Sequence, residues 1–260
     1  MKCFILPEAP DPQGLVCLRG KDYHYLARVR RLNPGAVFDV RLPGGEEAAL
    51  RIKSLDGNCL TGECLFNRSP AGDSLPPIAL FLALPKGTKM DLIMRQAAEG
   101  GIAEIVPFAA EHSVPKIKDA PEWERKTERW ARIIREARQQ SGSAVATLVR
   151  VPRTAEALFE YWETLKGRYP GILGLLLHQS PLEQGTLHGY LKPVPEFIAL
   201  AVGPEGGFSP GEVSRFLAAG FKAILLGNTV LRTETAALYG AAAVRTILLE
   251  NAAWMANNPR

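Results

Sequence analysis

The region that most constrains the fold lies between residues 197 and 250, where two short apolar segments each end in a glycine turn. The first segment, Phe197–Val202, carries no charge, as is typical of a strand buried on both faces of a parallel sheet. Residues 223–226 form the second, and a helical pattern separates the two. Because parallel strands joined by a right-handed crossover end at the same edge of a sheet, both turns should lie at one ligand-binding edge of an α/β domain.

The turn after the first segment reads Val-Gly-Pro-Glu-Gly-Gly at residues 202–207. Gly203, Gly206 and Gly207 lack a Cβ, so the backbone there can approach a flat ligand closely. The sequence Ser-Pro-Gly-Glu at 209–212 is a capping box, which predicts that a helix begins at Pro210. Glycines also form tight turns without any ligand, and that interpretation stays open for this motif alone.

A third motif, Leu-Arg-Thr-Glu-Thr-Ala at 231–236, stands where the last helix begins. It brings the guanidinium of Arg232, the carboxylate of Glu234 and the hydroxyls of Thr233 and Thr235 to the same edge of the predicted sheet. This concentration of polar groups favours a ligand site over purely structural turns.

Together the glycine turn and the Leu-Arg-Thr-Glu-Thr-Ala motif resemble the cofactor-binding half of the SPOUT RNA methyltransferases, and among them the ribosomal small-subunit methyltransferase E family. The resemblance implies a SPOUT-type parallel-sheet domain with a C-terminal trefoil knot, a homodimer, and S-adenosylmethionine held by the knot loops. Small residues at 236–243, where another helix can come close, also favour the dimer. The cofactor-binding residues that the resemblance implies are Leu177, His178, Val202, Gly203, Pro204, Glu205, Gly206, Leu226, Gly227, Asn228, Leu231, Thr233, Thr235 and Ala236.

The implied reaction is methylation of 16S ribosomal RNA at N3 of the uridine at position 1498, in maturation of the small subunit. Arg232 and Glu234 are the catalytic candidates. Arg232 would stabilise the uracil anion, whereas Glu234 or Glu205 would act as a base; Glu205 could instead only hold its turn. Two other functions stay open: 2′-O-methylation of another RNA, and RNA binding without catalysis by a ribosome-assembly factor.

Residues 1–72 are predicted to form a separate β-rich domain, with strands at 3–6, 15–18, 37–42, 48–55 and 59–65 and one helix at 21–32. Arg28, Arg30 and Arg31 lie largely off the apolar face of that helix, where they could bind RNA or only form a solvated surface. The pattern at 24–32 resembles one in the family's PUA-like RNA-binding β-barrel. A linker rich in turn formers at 69–77 places the methyltransferase domain at 73–260.

From residue 78 the pattern alternates between strand and helix. Predicted strands are 78–84, 103–108, 148–151 and 172–177, and predicted helices are 88–99, 121–141 and 154–165. The run Lys-Gly-Thr-Lys-Met-Asp at 86–91 lacks the Gly-x-x-x-x-Gly-Lys-Ser/Thr pattern of a nucleotide-binding P-loop. It does resemble a motif of the methyltransferase E family. The remaining RNA-binding candidates are Lys86, Lys89, Arg95, His112 and Lys116. Arginine is usual in the family where this chain has His112, Ser143 and Thr229.

The composition permits these partners without demanding them. A formal net charge of +4 is compatible with a polyanion such as ribosomal RNA. We expect a cytoplasmic protein without a membrane partner, because the chain has no signal-peptide pattern and no apolar run of membrane-spanning length. We expect no metal site and reduced thiols, because the four cysteines lack the spacing of zinc ligands.

Overall fold

A computed structural model describes residues 4–68, 75–117, 120–179 and 185–257. The chain divides into two compact units, one of residues 1–73 and 135–146, the other of residues 74–134 and 147–260. Residues 135–146 therefore belong to the first unit, although they come after the start of the second along the chain. Most of the predicted linker, residues 69–74, lies outside the described residues.

The first unit contains a five-stranded sheet with the order β1-β3-β4-β5-β2. All its neighbouring strands are antiparallel except β1 and β3. Along β2 the burial alternates, with Val16 and Leu18 buried and Cys17 and Arg19 exposed, as expected when one face of a sheet covers a core. The five predicted strands are confirmed to within a few residues: β1 Phe4–Ile5, β2 Leu15–Arg19, β3 Val37–Arg41, β4 Glu47–Asp56 and β5 Cys59–Arg68.

The predicted helix of this unit is shorter than expected. It begins as α1, Gly20–Tyr23, and continues as a π-helical segment, His24–Val29. Leu26 is fully buried among the core residues of the sheet. The backbone turns away at Arg31, whose φ of 55° is left-handed, so the helical segment ends three residues before the predicted end at Leu32.

The cysteines differ from the prediction of reduced thiols. Cys17 on β2 and Cys59 on β5 form a disulfide with Cα atoms 6.4 Å apart, and Cys64 is free. Burial raises the pKa of the Cys64 thiol. Within the part of the chain that the structure describes, no group of three or more His, Cys, Asp or Glu residues is placed to hold a metal ion.

The second unit is an α/β domain built on an all-parallel sheet with the order β12-β10-β11-β6-β7-β8 and with β9 beside β7. Its strands are β6 Ile78–Ala83, β7 Glu104–Ala109, β8 Leu148–Val149, β9 Arg153–Thr154, β10 Ile172–Leu177, β11 Phe197–Val202 and β12 Lys222–Ile224. Its helices are α2 Lys89–Glu99, α3 Ala120–Ser141, α4 Ala155–Arg168, α5 Leu187–Tyr190, α6 Pro210–Ala218 and α7 Thr233–Asn257. The parallel α/β architecture is confirmed, whereas the knot stays a prediction.

The central strands β6 and β11 are buried along their whole length, as their uncharged sequences predict. They pair in parallel, with Val202 opposite Leu82, so the loops after both strands leave the same edge. An aromatic cluster fills one face of the sheet, where the rings of Trp162 and Phe221 lie 4.5 Å apart. This core fixes the strand ends from which the candidate site is built.

Helix α7 packs its small residues against its own sheet. A Cβ added at Gly240 would lie 3.0 Å from Leu177 Cδ1 and 3.1 Å from Leu200 Cδ2, and both Ala237 and Ala241 are buried. These buried small residues therefore pack within the unit, and the homodimer stays a prediction. No helix in the described ranges is long and apolar enough to cross a membrane.

Candidate functional site

A cavity opens at the carboxyl ends of β10, β11 and β12. Its empty volume is about 680 Å³, including the part open to solvent. Apolar side chains and glycine backbone form most of its wall. The lining residues are Leu177, His178, Gln179, Val202, Gly203, Pro204, Gly207, Phe208, Ile224, Leu225, Leu226, Gly227, Thr229, Val230, Leu231, Thr233 and Ala236.

Most of the predicted cofactor-binding residues line this cavity. Those that do are Leu177, His178, Val202, Gly203, Pro204, Leu226, Gly227, Leu231, Thr233 and Ala236. Glu205, Gly206, Asn228 and Thr235 do not line it. The cavity also includes Gln179, Phe208, Ile224, Leu225, Thr229 and Val230, which sequence reasoning missed. Each of these missed residues lies within two positions of a predicted one, so continuing each loop by one or two residues would have found them.

Two glycines of the 202–207 turn line the cavity, and a side chain is disfavoured at each for a different reason. Gly207 has a φ of +69°, in the left-handed region that favours glycine. At Gly203 a Cβ would lie 3.3 Å from Gly207 C and from Phe208 N, so the turn is too tight there for a side chain. Gly206 points elsewhere, because a Cβ at that residue would lie 3.0 Å from His112 Cβ.

His112 contacts the back of this turn. Its Nδ1 lies 3.2 Å from the carbonyl oxygen of Gly206 and 3.1 Å from that of Gly207. Carbonyl oxygens only accept hydrogen bonds, so we assign the proton to Nδ1, which donates to both. The imidazole therefore fastens two consecutive peptide groups, one of which belongs to a residue lining the cavity.

The helix after the turn begins as predicted. Ser209 Oγ accepts from Glu212 N at 3.3 Å, and Glu212 Oε2 accepts from Ser209 N at 2.9 Å, which completes the capping box. The other oxygen of Glu212 accepts from Glu111 N at 2.9 Å, next to His112. The loop that carries His112 is thus tied to α6 as well as to the glycine turn.

The carboxylates of Glu205 and Glu234 share one partner, the ammonium group of Lys89. Lys89 Nζ lies 2.6 Å from Glu205 Oε1 and 3.4 Å from Glu234 Oε2. The backbone N–H of Lys86 also donates to both oxygens of Glu205, at 3.1 and 3.3 Å. The pKa of Lys89 is raised, chiefly by its hydrogen bond to Glu205 and also by the negative charges of both carboxylates. Burial acts in the opposite direction but is outweighed.

For Glu205 the largest effect, burial, would raise the pKa. The hydrogen bonds from Lys89 and from backbone N–H groups outweigh burial, so the pKa of Glu205 lies below its ordinary value. Glu205 is consequently ionised at neutral pH and already saturated with donors. It is poorly suited to remove a proton from a substrate.

Arg232 is exposed at the edge of the cavity, between two residues that line it. Its backbone carbonyl accepts from Ala236 N at 2.8 Å, which places it directly before the first turn of α7. Its guanidinium has no ion-pair partner among the described residues. The group is therefore available to an incoming molecule.

The predicted RNA-binding residues are exposed, with Lys89 as the exception. In the first unit these are Arg28, Arg30 and Arg31, and in the second Lys86, Arg95, His112 and Lys116. The guanidinium of Arg30 lies over the ring of Phe38, 5.2 Å from its centroid, which orients it without neutralising its charge. Lys89 is partly buried and paired with two carboxylates.

Comparison with known proteins assigns the chain to a family. Residues 73–245 match the RNA methyltransferase domain family, and residues 18–62 match the RNA methyltransferase PUA domain family. A ribosomal RNA small subunit methyltransferase E from Synechocystis is 33% identical over 94% of this chain and 78% of its own. The chain belongs to the ribosomal RNA small subunit methyltransferase E family.

Further similar proteins are also named as methyltransferases. The methyltransferase E of Bacillus subtilis is 28% identical over 87% of this chain and 88% of its own. The crystal structure of a methyltransferase E from Neisseria gonorrhoeae bound to S-adenosyl methionine is similar, with a TM-score of 0.76 and 26% identity over 95% of this chain and 98% of that one. The structure of a putative methyltransferase from Legionella pneumophila, in complex with the bound cofactor SAM, has a TM-score of 0.76. It is 26% identical and covers 94% of this chain and 97% of that one.

Proposed function

We propose that this chain transfers a methyl group from S-adenosylmethionine to N3 of the uridine at position 1498 of 16S ribosomal RNA. The observation that carries the proposal is the cavity at the carboxyl edge of the sheet, which the family's two signature segments line together. Relatives over most of the chain are named as small-subunit ribosomal RNA methyltransferases. We place this reaction in the cytoplasm.

The cavity suits S-adenosylmethionine in the chemistry of its wall. Leu177, Val202 and Leu226 offer apolar surface to a flat ring, while the backbone of Gly203 and Gly207 can approach it without an intervening Cβ. The lining residues would hold the cofactor through these surfaces and through backbone N–H and C=O groups. When bound, S-adenosylmethionine supplies the methyl group that is transferred.

The difficult requirement is ionisation of the uracil. The N3–H bond must break so that its electron pair can form the new N3–C bond. That imide resembles a tyrosine hydroxyl in acidity, with a pKa of ~10, so the anion lies about 4 kcal/mol above the neutral base at pH 7. A guanidinium at a uracil carbonyl would stabilise the developing charge, and one such donor contributes roughly 3–4 kcal/mol in comparable sites.

We assign that guanidinium to Arg232, because it is exposed at the cavity and has no ion-pair partner among the described residues. The proton would pass to solvent; Glu234, the other candidate acceptor, does not line the cavity. Glu234 Oε2 is buried and lies 3.4 Å from Lys89 Nζ, without a hydrogen bond in the described part of the chain. Glu205 is the weaker base, since it already accepts from Lys86 and Lys89.

RNA would be held by exposed cations of both units. We propose that Arg28, Arg30 and Arg31 contact phosphates from the first unit, and Lys86, Arg95, His112 and Lys116 contact the RNA from the second. Replacing one phosphate-binding cation by methionine should reduce the slope of log affinity against log salt by about one unit. An unchanged slope for a triple replacement of Arg28, Arg30 and Arg31 would remove the first unit from the RNA interface.

We also propose that the protein is a homodimer, paired through the outer face of α7. Tyr239 is 56% exposed and Leu249 46% exposed on this helix, and Thr235 and Ala242 are exposed at matching helical spacing. Together these side chains offer a second copy of the helix an apolar surface to bury.

The decisive experiment is transfer of labelled methyl groups to small ribosomal subunits that lack the modification, followed by mapping of the labelled nucleotide. We expect one labelled N3 position, at uridine 1498. Label on a ribose 2′-oxygen or on another RNA would favour the alternative methyltransferase. Tight binding to the subunit without transfer would favour an assembly factor.

A further inference from the structure

The loop after β6 reaches the site through one side chain, that of Lys89. Lys89 is the first residue of α2, whereas Glu205 belongs to the turn after β11 and Glu234 to the first turn of α7. The ammonium group lies 2.6 Å from the carboxylate of Glu205 and 3.4 Å from that of Glu234. Three segments that are distant in sequence therefore meet at one cation.

The cluster lies behind the cavity wall. None of its three side chains lines the cavity, but Gly203 and Pro204 directly precede Glu205, and Thr233 directly precedes Glu234. Arg232 is one residue further along. Any movement of the two carboxylates would therefore move the cavity wall and the guanidinium that we assign to the uracil.

The charges of the cluster oppose a phosphate contact. One ammonium group between two carboxylates leaves the cluster with an excess of negative charge, which would repel an RNA phosphate. The side chain of Lys89 is only 28% exposed, and those of Glu205 and Glu234 are 27% and 15% exposed. Lys86, three residues earlier, contributes a backbone N–H to Glu205 while its side chain remains in solvent.

We propose that Lys89 is a positioning residue that fixes the glycine turn and the start of α7 relative to each other, and is not a phosphate contact. The inference deepens the proposed function, since it rests on that cavity being the S-adenosylmethionine site. Glu234 is well placed for this role, because a carboxylate in the first turn of a helix is stabilised by the helix dipole.

Two neighbouring lysines provide a matched test. Lys89→Met removes the cation at similar length, Lys89→Arg retains it, and Lys86→Met removes an exposed cation from the same loop without changing its backbone donor. Amide hydrogen exchange of residues 203–208 and 231–236 in the free protein reports how firmly the two segments are held, without any ligand. We expect exchange of both segments to rise in Lys89→Met, to stay unchanged in Lys86→Met, and to be largely restored in Lys89→Arg.

Binding measurements then separate the two roles. In Lys89→Met, calorimetry should show roughly tenfold weaker S-adenosylmethionine binding, as expected for the loss of a charge-assisted contact, with an unchanged salt slope for RNA. Lys86→Met should lower the RNA salt slope by about one unit and leave cofactor affinity unchanged. Equal losses of salt slope in both variants, with unchanged exchange and cofactor affinity, would make Lys89 a phosphate contact and overturn the proposal.

Two further outcomes stay distinguishable. If Lys89→Met does not fold, Glu205→Gln tests the same contact from its other side, and unchanged exchange at 231–236 in that variant would refute the coupling. If the wild-type protein binds no S-adenosylmethionine and methylates no RNA, the proposed function fails. The hydrogen-exchange comparison would still decide whether Lys89 couples the two segments.

Discussion

The three glycines of the 202–207 turn should respond differently to alanine, because each occupies different surroundings. At Gly203 the new Cβ would lie 3.3 Å from two backbone atoms, Gly207 C and Phe208 N. Backbone cannot move aside like a flexible side chain, so the turn must open. Overpacking of this kind costs roughly 1–3 kcal/mol, which corresponds to about 5- to 150-fold weaker cofactor binding if the native turn must re-form on binding.

Gly207 and Gly206 should have smaller effects for separate reasons. A Cβ at Gly207 has room, since its nearest neighbour is Gln179 Nε2 at 3.8 Å, but the φ of +69° makes alanine strained there by about 1 kcal/mol. A Cβ at Gly206 would meet the side chain of His112 at 3.0 Å, behind the cavity wall. The contacted atom is His112 Cβ, so the loop that carries His112 must shift by a few tenths of an ångström. Because this shift occurs behind the cavity wall, we expect a smaller loss of affinity than at Gly203. Gly206 does not line the cavity, so a side chain there should not fill the cofactor site.

Calorimetry with S-adenosylmethionine on the three alanine variants tests this order, with the midpoint of thermal unfolding measured in parallel. Gly211→Ala in α6 is the control, because its Cβ would have only Ser209 Oγ within reach, at 3.9 Å. Wild-type affinity in a folded Gly203→Ala variant would refute the steric argument. So would a Gly206→Ala variant that loses as much affinity as Gly203→Ala.

Three further predictions follow from the site and from α7. Arg232→Ala should slow single-turnover methylation at pH 7 by two or more orders of magnitude, while the affinity for the cofactor is largely kept. Raising the pH towards 9.5 should partly restore the rate, because the uracil then ionises by itself. A rate deficit that stays constant with pH would show that Arg232 does not stabilise the uracil anion. Light scattering should give twice the mass of one chain, and Tyr239→Glu should shift it towards the monomer; a fully active wild-type monomer would contradict the dimer. The pKa of Glu205 is lower in the folded protein than its ordinary value of 4.5, so its ionised form stabilises the fold. That contribution is complete above pH 4.5 and is lost as the pH falls through the lower folded-state pKa, so the free energy of unfolding of Glu205→Gln in urea should lack this part of the acid dependence. An identical acid profile in wild type and variant would refute this prediction.

The strands and helices were largely predictable because their signals are local. The uncharged segment Phe197–Val202 and the capping box at 209–212 specify their elements within a few residues, and the structure has them where the sequence predicts. The cavity followed from topology, since successive parallel strands place their loops at one edge. The predicted cofactor residues that do not line it lie in loops or, for Thr235, in the first turn of α7, where adjacent residues point to different sides.

Contacts between distant segments were not predictable in the same way. Glu205 and Lys89 are 116 positions apart, and no periodicity relates them, so Lys89 could only be interpreted as another surface cation. Arg138 and Gln139 read as part of an amphipathic helix, yet both are buried in the first unit. Their hydrogen bonds run to the backbone carbonyls of Pro43 and Ile5, which only the tertiary structure brings close.

The membership of residues 135–146 in the first unit has a practical consequence for truncation. The polypeptide passes between the units three times, at 73–74, 134–135 and 146–147, so no single cut separates them. A protein lacking residues 1–72 would retain this orphaned segment while losing the acceptors of Arg138 and Gln139 and also Arg41, which donates to the carbonyl of Gly142 at 2.9 Å. Such a fragment would expose surfaces that are normally buried, and it could fail in RNA binding through aggregation alone. Dissection of the two units therefore calls for point substitutions in the full chain, or for a fragment from which residues 135–146 have been replaced by a short linker.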